Sequence, residues 1–179
     1  MNKKGFSLIE LLSVIIIIGI MATIGIVAVS QNINDSRESS FADLAKMYIE
    51  KASELRSKDR LPVDIKDKQA ILLPLERFKL DKNEDFTTVY GKMKLDYCYV
   101  IVTNNNNNYN YYIYMLDDSD HAMFSVEYSE VDKDMVTTEA NDIAKITNYK
   151  TVNASTSFYV KNAVYKLKKT GDKYLVLEK

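Results

Sequence analysis

KKGFSLIELLSVIIIIGIMATIGIVAV, residues 3–29, is the stretch that decides how this chain folds. From Leu11 to Val29 it contains no charged residue, and Ser13 and Thr23 carry its only hydroxyl groups. At about 1.5 Å per residue, a helix over this run spans roughly 30 Å, the thickness of a bilayer core. The run therefore predicts a membrane-spanning helix.

Two lysines, Lys3 and Lys4, precede the apolar run. Basic residues favour the cytoplasmic side of a membrane, so the predicted topology has the N-terminus inside and the rest of the chain outside. A secretory signal peptide also begins with lysines and an apolar stretch. Here the stretch is long and no clean small-x-small cleavage pattern follows it, which favours a retained helix.

The polar sequence after residue 29 carries an apolar stripe with helical spacing. It predicts that one helix continues from about residue 6 to about residue 58. The first half is apolar all round and favours lipid or other helices, whereas the second half is amphipathic and favours a globular partner. The stripe consists of Ile33, Phe41, Leu44, Tyr48, Ala52 and Leu55.

The rest of the chain predicts an antiparallel sheet of four to six strands, and hence the α+β class with the helical stripe covering the apolar face of the sheet. Pro62 and Pro74 mark a connecting segment that holds a short helix or an edge strand. Thr137 or Thr138 starts a short helix within residues 129–157. The predicted strands are 86–95, 95–103, 109–117, 122–129, 158–169 and 173–179, with a hairpin turn at 170–172 between the last two.

Five consecutive asparagines occupy positions 104–108, between two of the predicted strands. Asparagine tolerates left-handed backbone angles, which suits a hairpin loop. A solvated loop is favoured here over a glycan-bearing or adhesive tip.

The single cysteine, Cys98, excludes an internal disulfide. It lies in LDYCYVIV, a pattern that predicts a buried strand thiol. The net charge of −1 gives no bulk attraction to nucleic acid or anionic lipid.

The N-terminal residues resemble those of type IV pilins and the related pseudopilins. The resemblance rests on the leader KKG, on Phe6 after it, on Glu10 and on the membrane-length helix that follows. It covers about thirty residues closely, and the remainder only in its architecture. The chain departs from many members in two ways: it has no proline between residues 6 and 61, and it has a single cysteine. In this it more closely resembles the cysteine-poor pilins of Gram-positive bacteria.

This resemblance implies a leader of residues 1–5, with basic Lys3 and Lys4, that a membrane-embedded prepilin peptidase removes. The cut falls between Gly5 and Phe6, and Phe6 is then N-methylated. It also implies a filament-core half-helix over 6–29, an amphipathic half-helix over 30–58 and a globular head over 59–179. The implied partners are further pilin subunits in a homo- or heteropolymer, the membrane, and an assembly platform with its ATPase complex.

Glu10 interrupts the approach to the apolar helix, and a carboxylate near hydrocarbon needs a positive partner or a proton. The resemblance implies that this partner is the Phe6 ammonium of a neighbouring subunit. A second interpretation needs no partner, because Ser7 and Glu10 form S-x-x-E before an apolar run, which is the pattern of a capping box. Both roles can coexist.

Two further clusters favour structural interpretations. DDSDH at 117–121 lacks the glycine and distal glutamate of a calcium loop, so we expect a solvated turn and no metal. Lysines 161, 166, 168, 169 and 173 are interleaved with tyrosines, which favours a lysine-fringed edge strand over a DNA-binding surface. DNA or another surface ligand stays the alternative partner of the head. No nucleophile elbow, phosphate loop or metal-ligand pair occurs, so we expect neither catalysis nor a cofactor.

Two functions therefore remain. In the first, the chain is a structural subunit, major or minor, of a type IV pilus, with a pseudopilin of a secretion or DNA-uptake system as its near alternative. In the second, it is an uncleaved membrane-anchored module whose head binds a ligand.

Overall fold

The computed structural model describes residues 7–78, 85–171 and 174–179, with the side chains of 22–28 also outside the description. The chain divides into two compact units, Met1–Arg37 and Glu38–Lys179. A long N-terminal helix and an antiparallel sheet confirm the predicted α+β class. The regular elements are α1 Leu8–Ser57, β1 Gln69–Pro74, β2 Tyr99–Asn105, β3 Asn108–Leu116, β4 Ala122–Glu127, α2 Ala140–Ile143, β5 Ser157–Val160, β6 Ala163–Gly171 and β7 Tyr174–Glu178.

Helix α1 ends through hydrogen bonds made by the two residues after its last turn. Asp59 has a left-handed backbone, with φ of 52°. Its N–H donates to the Arg56 carbonyl at 3.0 Å, and the Arg60 N–H donates to the Leu55 carbonyl at 2.8 Å. This is the Schellman arrangement, which satisfies carbonyls that the last turn leaves open. The observed end at Ser57 agrees with the predicted end near residue 58.

The sheet has seven strands in the order β4-β3-β2-β1-β7-β6-β5, rather than the predicted four to six. Its central strand β1 lies in the segment for which the sequence predicted only a short helix or an edge strand. Pro74 made a central strand implausible, because proline cannot donate to a ladder. In the structure β7 pairs only with residues 69–72 of β1, so Pro74 lies beyond the stretch that is paired on both sides.

The predicted strand over 86–95 is wrong. Residues 86–93 fold into a tight turn in which the Thr88 N–H donates to the Gly91 carbonyl at 2.7 Å and the Met93 N–H donates to the Phe86 carbonyl at 2.9 Å. The turn is held from outside, since the Thr88 hydroxyl donates to Asp117 at 2.8 Å. Among the described residues, backbone pairing in this segment is limited to two isolated bridges, Thr87 with Lys92 and Met93 with Asp117, in place of the predicted strand.

Residues 158–169, predicted as one strand, form parts of β5 and β6. The chain reverses at Lys161, whose φ is 52°, and the two strands then pair in antiparallel register. The predicted hairpin between the last strands is observed as the β6–β7 pair, in which Gly171 lies opposite Tyr174. Asp172, the last residue of the predicted turn, is outside the described residues.

The run of asparagines forms the predicted hairpin loop. Asn105 pairs with Asn108 at the ends of β2 and β3, leaving Asn106 and Asn107 as a two-residue turn. Their φ values, 51° and 65°, are both left-handed, as a type I′ turn requires.

One face of the sheet packs against the second half of α1, as predicted. Phe41, Ala45, Tyr48 and Ala52 are buried there. Alternation along each strand places one set of side chains on this face and its neighbours on the other. The strand residues buried in this core are Ile71, Leu73, Val100, Val102, Ile113, Met115, Met123 and Val126.

The opposite face is also buried, which the sequence analysis did not predict. Its cover comes from residues 140–156, where Ile146 is buried against the tyrosine-rich side of the sheet. Lys150 of this segment forms two ion pairs, with its Nζ atom 2.6 Å from Asp96 Oδ1 and 3.3 Å from Glu76 Oε1. The predicted short helix is present as α2, although Glu139 rather than a threonine is its N-cap residue.

Cys98 is buried, as predicted, but it lies one residue before β2 rather than within a strand. Burial raises the pKa of this thiol to about 12, so it stays protonated at neutral pH. Its sulfur lies 3.3 Å from the Leu116 carbonyl oxygen and accepts from the Leu116 N–H at 3.4 Å. The thiol acts as a packing group between β2 and β3.

Leu73→Ala should destabilise the globular unit strongly, because Leu73 is 0% exposed at the centre of the helix-facing core. Leu-to-Ala changes in such positions cost about 2–5 kcal/mol through lost burial and a residual cavity. Urea unfolding of the full chain in detergent, followed by tyrosine fluorescence, measures this. Leu12→Ala is the matched control, since Leu12 is 53% exposed and should leave the transition unchanged. Equal effects of the two changes would contradict this description of the core.

Candidate functional site

Ser7 and Glu10 form a complete capping box at the start of α1. The Ser7 N–H donates to Glu10 Oε2 at 2.8 Å, and the Ser7 hydroxyl donates to the same oxygen at 2.9 Å. In return, the Glu10 N–H donates to Ser7 Oγ at 3.3 Å. The Leu11 N–H donates to the Ser7 carbonyl at 3.2 Å and begins the helical hydrogen bonding. The capping interpretation of S-x-x-E is therefore confirmed.

The capping box does not exhaust the acceptor capacity of Glu10. An ionised carboxylate offers about four lone-pair positions, and the two Ser7 donors use two of them on one oxygen. Glu10 is exposed, and its negative charge lies in the first turn, where the helix dipole favours an anion. The same carboxylate can thus cap its own helix and accept a cation from another molecule.

The other residues of the predicted site lie outside the described residues. These are Lys3 and Lys4 of the leader, and Gly5 and Phe6 on either side of the predicted cut. Cleavage after Gly5, methylation of Phe6 and the pairing of Phe6 with Glu10 remain predictions.

Beyond Glu10, α1 exposes aliphatic side chains on every side. Residues i, i+3 and i+4 share one helical face, so consecutive exposed residues cover the full circumference. Ser13 does not interrupt this surface, because its hydroxyl donates to the Ile9 carbonyl at 2.8 Å. The large apolar residues exposed after Glu10, up to residue 21, are Leu11, Leu12, Val14, Ile15, Ile16, Ile17, Ile18, Ile20 and Met21, and Leu8 and Ile9 before it are also exposed.

A helix able to cross a membrane is not found among the described residues. The predicted span over residues 11–29 includes 22–28, whose side chains are outside the description.

DDSDH is a structural turn, but its first residue is not solvated as predicted. Asp117 is 0% exposed and accepts hydrogen bonds from the N–H groups of Ser119, at 3.0 Å, and His121, at 2.9 Å. His121 stacks on Tyr90 with the ring centroids 3.5 Å apart. No group of side chains suited to a metal ion occurs in the part of the chain that the structure describes.

The lysine cluster does not form the predicted edge strand. Lys166, Lys168 and Lys169 lie in β6, which runs between β5 and β7, so β5 is the edge strand on this side. Lys161 lies in the turn before β6, and Lys173 is outside the described residues. Two of these lysines pair with carboxylates: Lys161 pairs with Glu130 at 2.7 Å and with Glu127 at 3.1 Å. Lys168 pairs with Glu178 at 2.8 Å. These ion pairs disfavour a surface for the nucleic-acid backbone, which binds through unneutralised lysines.

Sequence reasoning missed two buried polar residues that shape the head. One is Asp117, described above. The other is Asn104, whose side-chain amide donates to the Ile65 carbonyl at 2.7 Å and whose Oδ1 accepts from the Asn107 N–H at 2.9 Å. Asn104 was hidden in a run of five identical residues, and no local pattern separates the buried one from its neighbours.

Comparison with known proteins identifies the N-terminal segment. Residues 1–26 match the family model of the prokaryotic N-terminal methylation motif. No curated protein and no solved structure matches the chain.

The matched segment is a type IV pilin-like class III signal peptide. The chain thus carries the N-terminal signal of a type IV pilin or pseudopilin-like substrate, joined to an α+β fold. This signal points to a structural protein rather than an enzyme, and to one that is first anchored in a membrane and later extracellular.

Ser7→Ala should loosen the first turn of α1, because it removes the two capping-box hydrogen bonds of the Ser7 hydroxyl. Loss of such a cap costs about 0.5–2 kcal/mol. Amide hydrogen exchange by NMR in detergent should show faster exchange at Glu10 and Leu11. Ser13→Ala is the matched control, since Ser13 bonds within the helix and is not a cap. Unchanged exchange at Glu10 in Ser7→Ala would show that the box does not hold the helix start.

Proposed function

We propose that this protein is a structural subunit of a type IV pilus, cut between Gly5 and Phe6, N-methylated at Phe6 and polymerised through its N-terminal helix. One observation carries the proposal. The methylation motif over residues 1–26 coincides with a helix whose first turn presents a carboxylate. Residues 11–21 of that helix expose apolar side chains and Ser13, whose hydroxyl donates to the Ile9 carbonyl.

Cleavage would supply a positive charge for Glu10, whose carboxylate accepts hydrogen bonds from Ser7 among the described residues. Before the cut, the nitrogen of Phe6 is an uncharged peptide nitrogen. After the cut it is an α-ammonium, and methylation leaves it basic. Glycine at position 5 presents no side chain before the scissile bond, and the basic leader favours the cytoplasmic membrane surface.

The pairing of Glu10 with the Phe6 ammonium of a neighbouring subunit would set the register of assembly. At about 4 Å and an effective dielectric near 20, the attraction is on the order of 4 kcal/mol before desolvation. Breaking such a buried pair by removing one partner costs about 3–5 kcal/mol, because the other charge is left uncompensated. A subunit added out of register would leave both charges unpaired.

The Ser7 bonds are compatible with this pairing. Both donate to Oε2, and acceptor positions remain for an ammonium. The capping box would hold the carboxylate in a fixed orientation at the helix start before the next subunit arrives. Capping and assembly are thus successive uses of one side chain.

The exposed aliphatic surface would supply the cohesion of the filament. Apolar surface removed from water contributes about 25 cal/mol per Å². Staggered parallel copies of the helix would bury residues that are otherwise exposed, such as Ile15, Ile17 and Ile18. A contact between two different surfaces of identical subunits repeats without closing, which gives an open helical polymer.

The proposed life cycle has a membrane stage and a fibre stage. In the membrane stage the N-terminus faces the cytoplasm and residues 11–29 lie in the bilayer, with the prepilin peptidase as the first partner. In the fibre stage an assembly platform with its ATPase extracts the subunit into the extracellular filament. A pseudopilin of a secretion or DNA-uptake system would use the same N-terminal chemistry.

Glu10→Gln tests the role of the charge. Glutamine keeps a competent capping residue but removes the negative charge. The stability of the head against unfolding should therefore equal that of the wild type, while incorporation into fibres falls at least tenfold. The measurement is the amount of subunit in sheared surface fibres relative to the membrane pool. Glu54→Gln is the matched control, because Glu54 is an exposed residue of α1 whose carboxylate pairs with Lys58 on the surface. Normal incorporation of Glu10→Gln would remove the proposed role.

A further inference from the structure

The two edge strands of the described sheet, β4 and β5, meet each other although five strands lie between them in the strand order. The Lys161 N–H, directly after β5, donates to Ser125 Oγ in β4 at 2.6 Å. The Lys161 ammonium lies 3.1 Å from Glu127 Oε2, at the end of β4, and 2.7 Å from Glu130 Oε1. The sheet is therefore curled so far that its two ends are in contact.

The second core lies on the inside of this curl, because residues of both edge strands, Ala122 and Phe158, belong to it. Tyr114 of β3 reaches across this core, and its hydroxyl donates to the carbonyl of Tyr159 in β5. Burial raises the pKa of Tyr114, so the hydroxyl keeps the proton that it donates. We refer to this bond and to the bonds of Lys161 as the β4–β5 contact.

The backbone is strained where the two ends meet. Ser125 and Lys161 both have left-handed backbone angles, with φ of 54° and 52°. Ser125 is the extra residue of a bulge in β4, between Phe124 and Val126, which pair with β3. Non-glycine residues rarely adopt this backbone, and a bulge changes the direction of a side chain. Because such strain persists only where the surrounding structure holds it, it marks the β4–β5 contact as a constrained feature of the fold.

Contacts within the chain occupy backbone groups on both edges of the sheet. An edge strand presents unpaired N–H and C=O groups, to which a strand of another chain can add. On β5, the Tyr159 carbonyl accepts from Tyr114. On β4, Ala122 exchanges two backbone hydrogen bonds of 2.8 Å with Thr137. A strand of a second copy would have to displace these bonds before it could pair.

We propose that the β4–β5 contact is autoinhibitory: it keeps the edge strands β4 and β5 from pairing with another copy of this chain. Loss of the contact would let the two ends of the sheet separate and would free the outer backbone groups of β5 for an intermolecular ladder. All residues of the contact lie in the unit Glu38–Lys179. Closed edges would leave the N-terminal helix as the joining surface between copies, a consequence that rests on the proposed function, whereas the closure itself does not.

Hydrogen exchange of the full wild-type chain in detergent, followed by NMR, tests the contact without any variant. Lys161 is an exposed residue of a turn, so its amide is protected only if the bond to Ser125 holds. We expect this amide to exchange at least tenfold more slowly than in the unfolded chain. An unprotected Lys161 amide in the folded protein would overturn the proposal.

Ser125→Gly opens the contact without adding backbone strain, because glycine adopts left-handed angles freely. Loss of the hydroxyl should make the Lys161 amide exchange at least tenfold faster. Ser155→Gly is the matched control, the same change at an exposed serine outside the contact. Unchanged exchange at Lys161 in Ser125→Gly, or an equal effect of the control, would contradict the assignment.

The amide of Tyr159 reports pairing with a second copy. The N–H and C=O of one residue in an antiparallel strand point to the same side, and the Tyr159 carbonyl faces Tyr114 rather than β6. In Ser125→Gly, exchange at Tyr159 should therefore slow at least tenfold as the protein concentration rises, whereas in the wild type it should not change. Association through the N-terminal helix would leave Tyr159 unaffected, so the measurement is independent of the proposed fibre. Concentration-independent exchange in Ser125→Gly, or concentration-dependent exchange in the wild type, would overturn the proposal.

Discussion

The rest of the structure depends on one constraint, the carboxylate of Glu10. Ser7 holds this carboxylate at the start of a helix whose next residues, 11–21, expose aliphatic side chains on all sides. A single chain satisfies half of that arrangement. The capping box settles the local hydrogen bonds, but it supplies no cation for the charge and no cover for the apolar surface. In the proposed assembly, both deficits would be met by the same event, the arrival of a second helix with a free ammonium beside its own apolar surface.

The globular unit is independent of this constraint in its packing. The sheet is buried on both faces, by α1 on one side and by residues 140–156 on the other. The aromatic residues of the second core, such as the stacked pair Tyr99 and Tyr114 with ring centroids 4.7 Å apart, hold together without a disulfide. This explains how one buried cysteine suffices.

Local patterns predicted the elements that local physics determines. Neighbouring residues determine the helical stripe and its end near residue 58, which the structure closes with a Schellman arrangement. They also determine the left-handed asparagine turn. The unbroken apolar run YVIV in β2 is typical of a strand buried on both faces. The prediction of a single covered face did not use this signal.

Long-range contacts decided the elements that sequence reasoning got wrong. Strand β1 became central because β7, about a hundred residues later, pairs beside it. Residues 86–93 form a turn closed by the backbone bridge between Thr87 and Lys92, and Asp117, far along the chain, binds Thr88 from outside. The candidate site divides in the same way: the capping box was readable from S-x-x-E, whereas the proposed intermolecular partner of Glu10 would belong to another chain. Ser125 and Lys161 meet only in the folded head.

The central claim is that cleavage creates the cation that Glu10 requires, and mass spectrometry of the N-terminal peptide tests it most directly. The protein should be extracted from the membranes and surface fibres of the cells that naturally make it. The account predicts a mature chain in surface fibres that begins at Phe6 and carries a methyl group on its amino nitrogen. A fibre-borne chain that still begins at Met1 or Asn2 would contradict it, because the proposed partner of Glu10 would not exist.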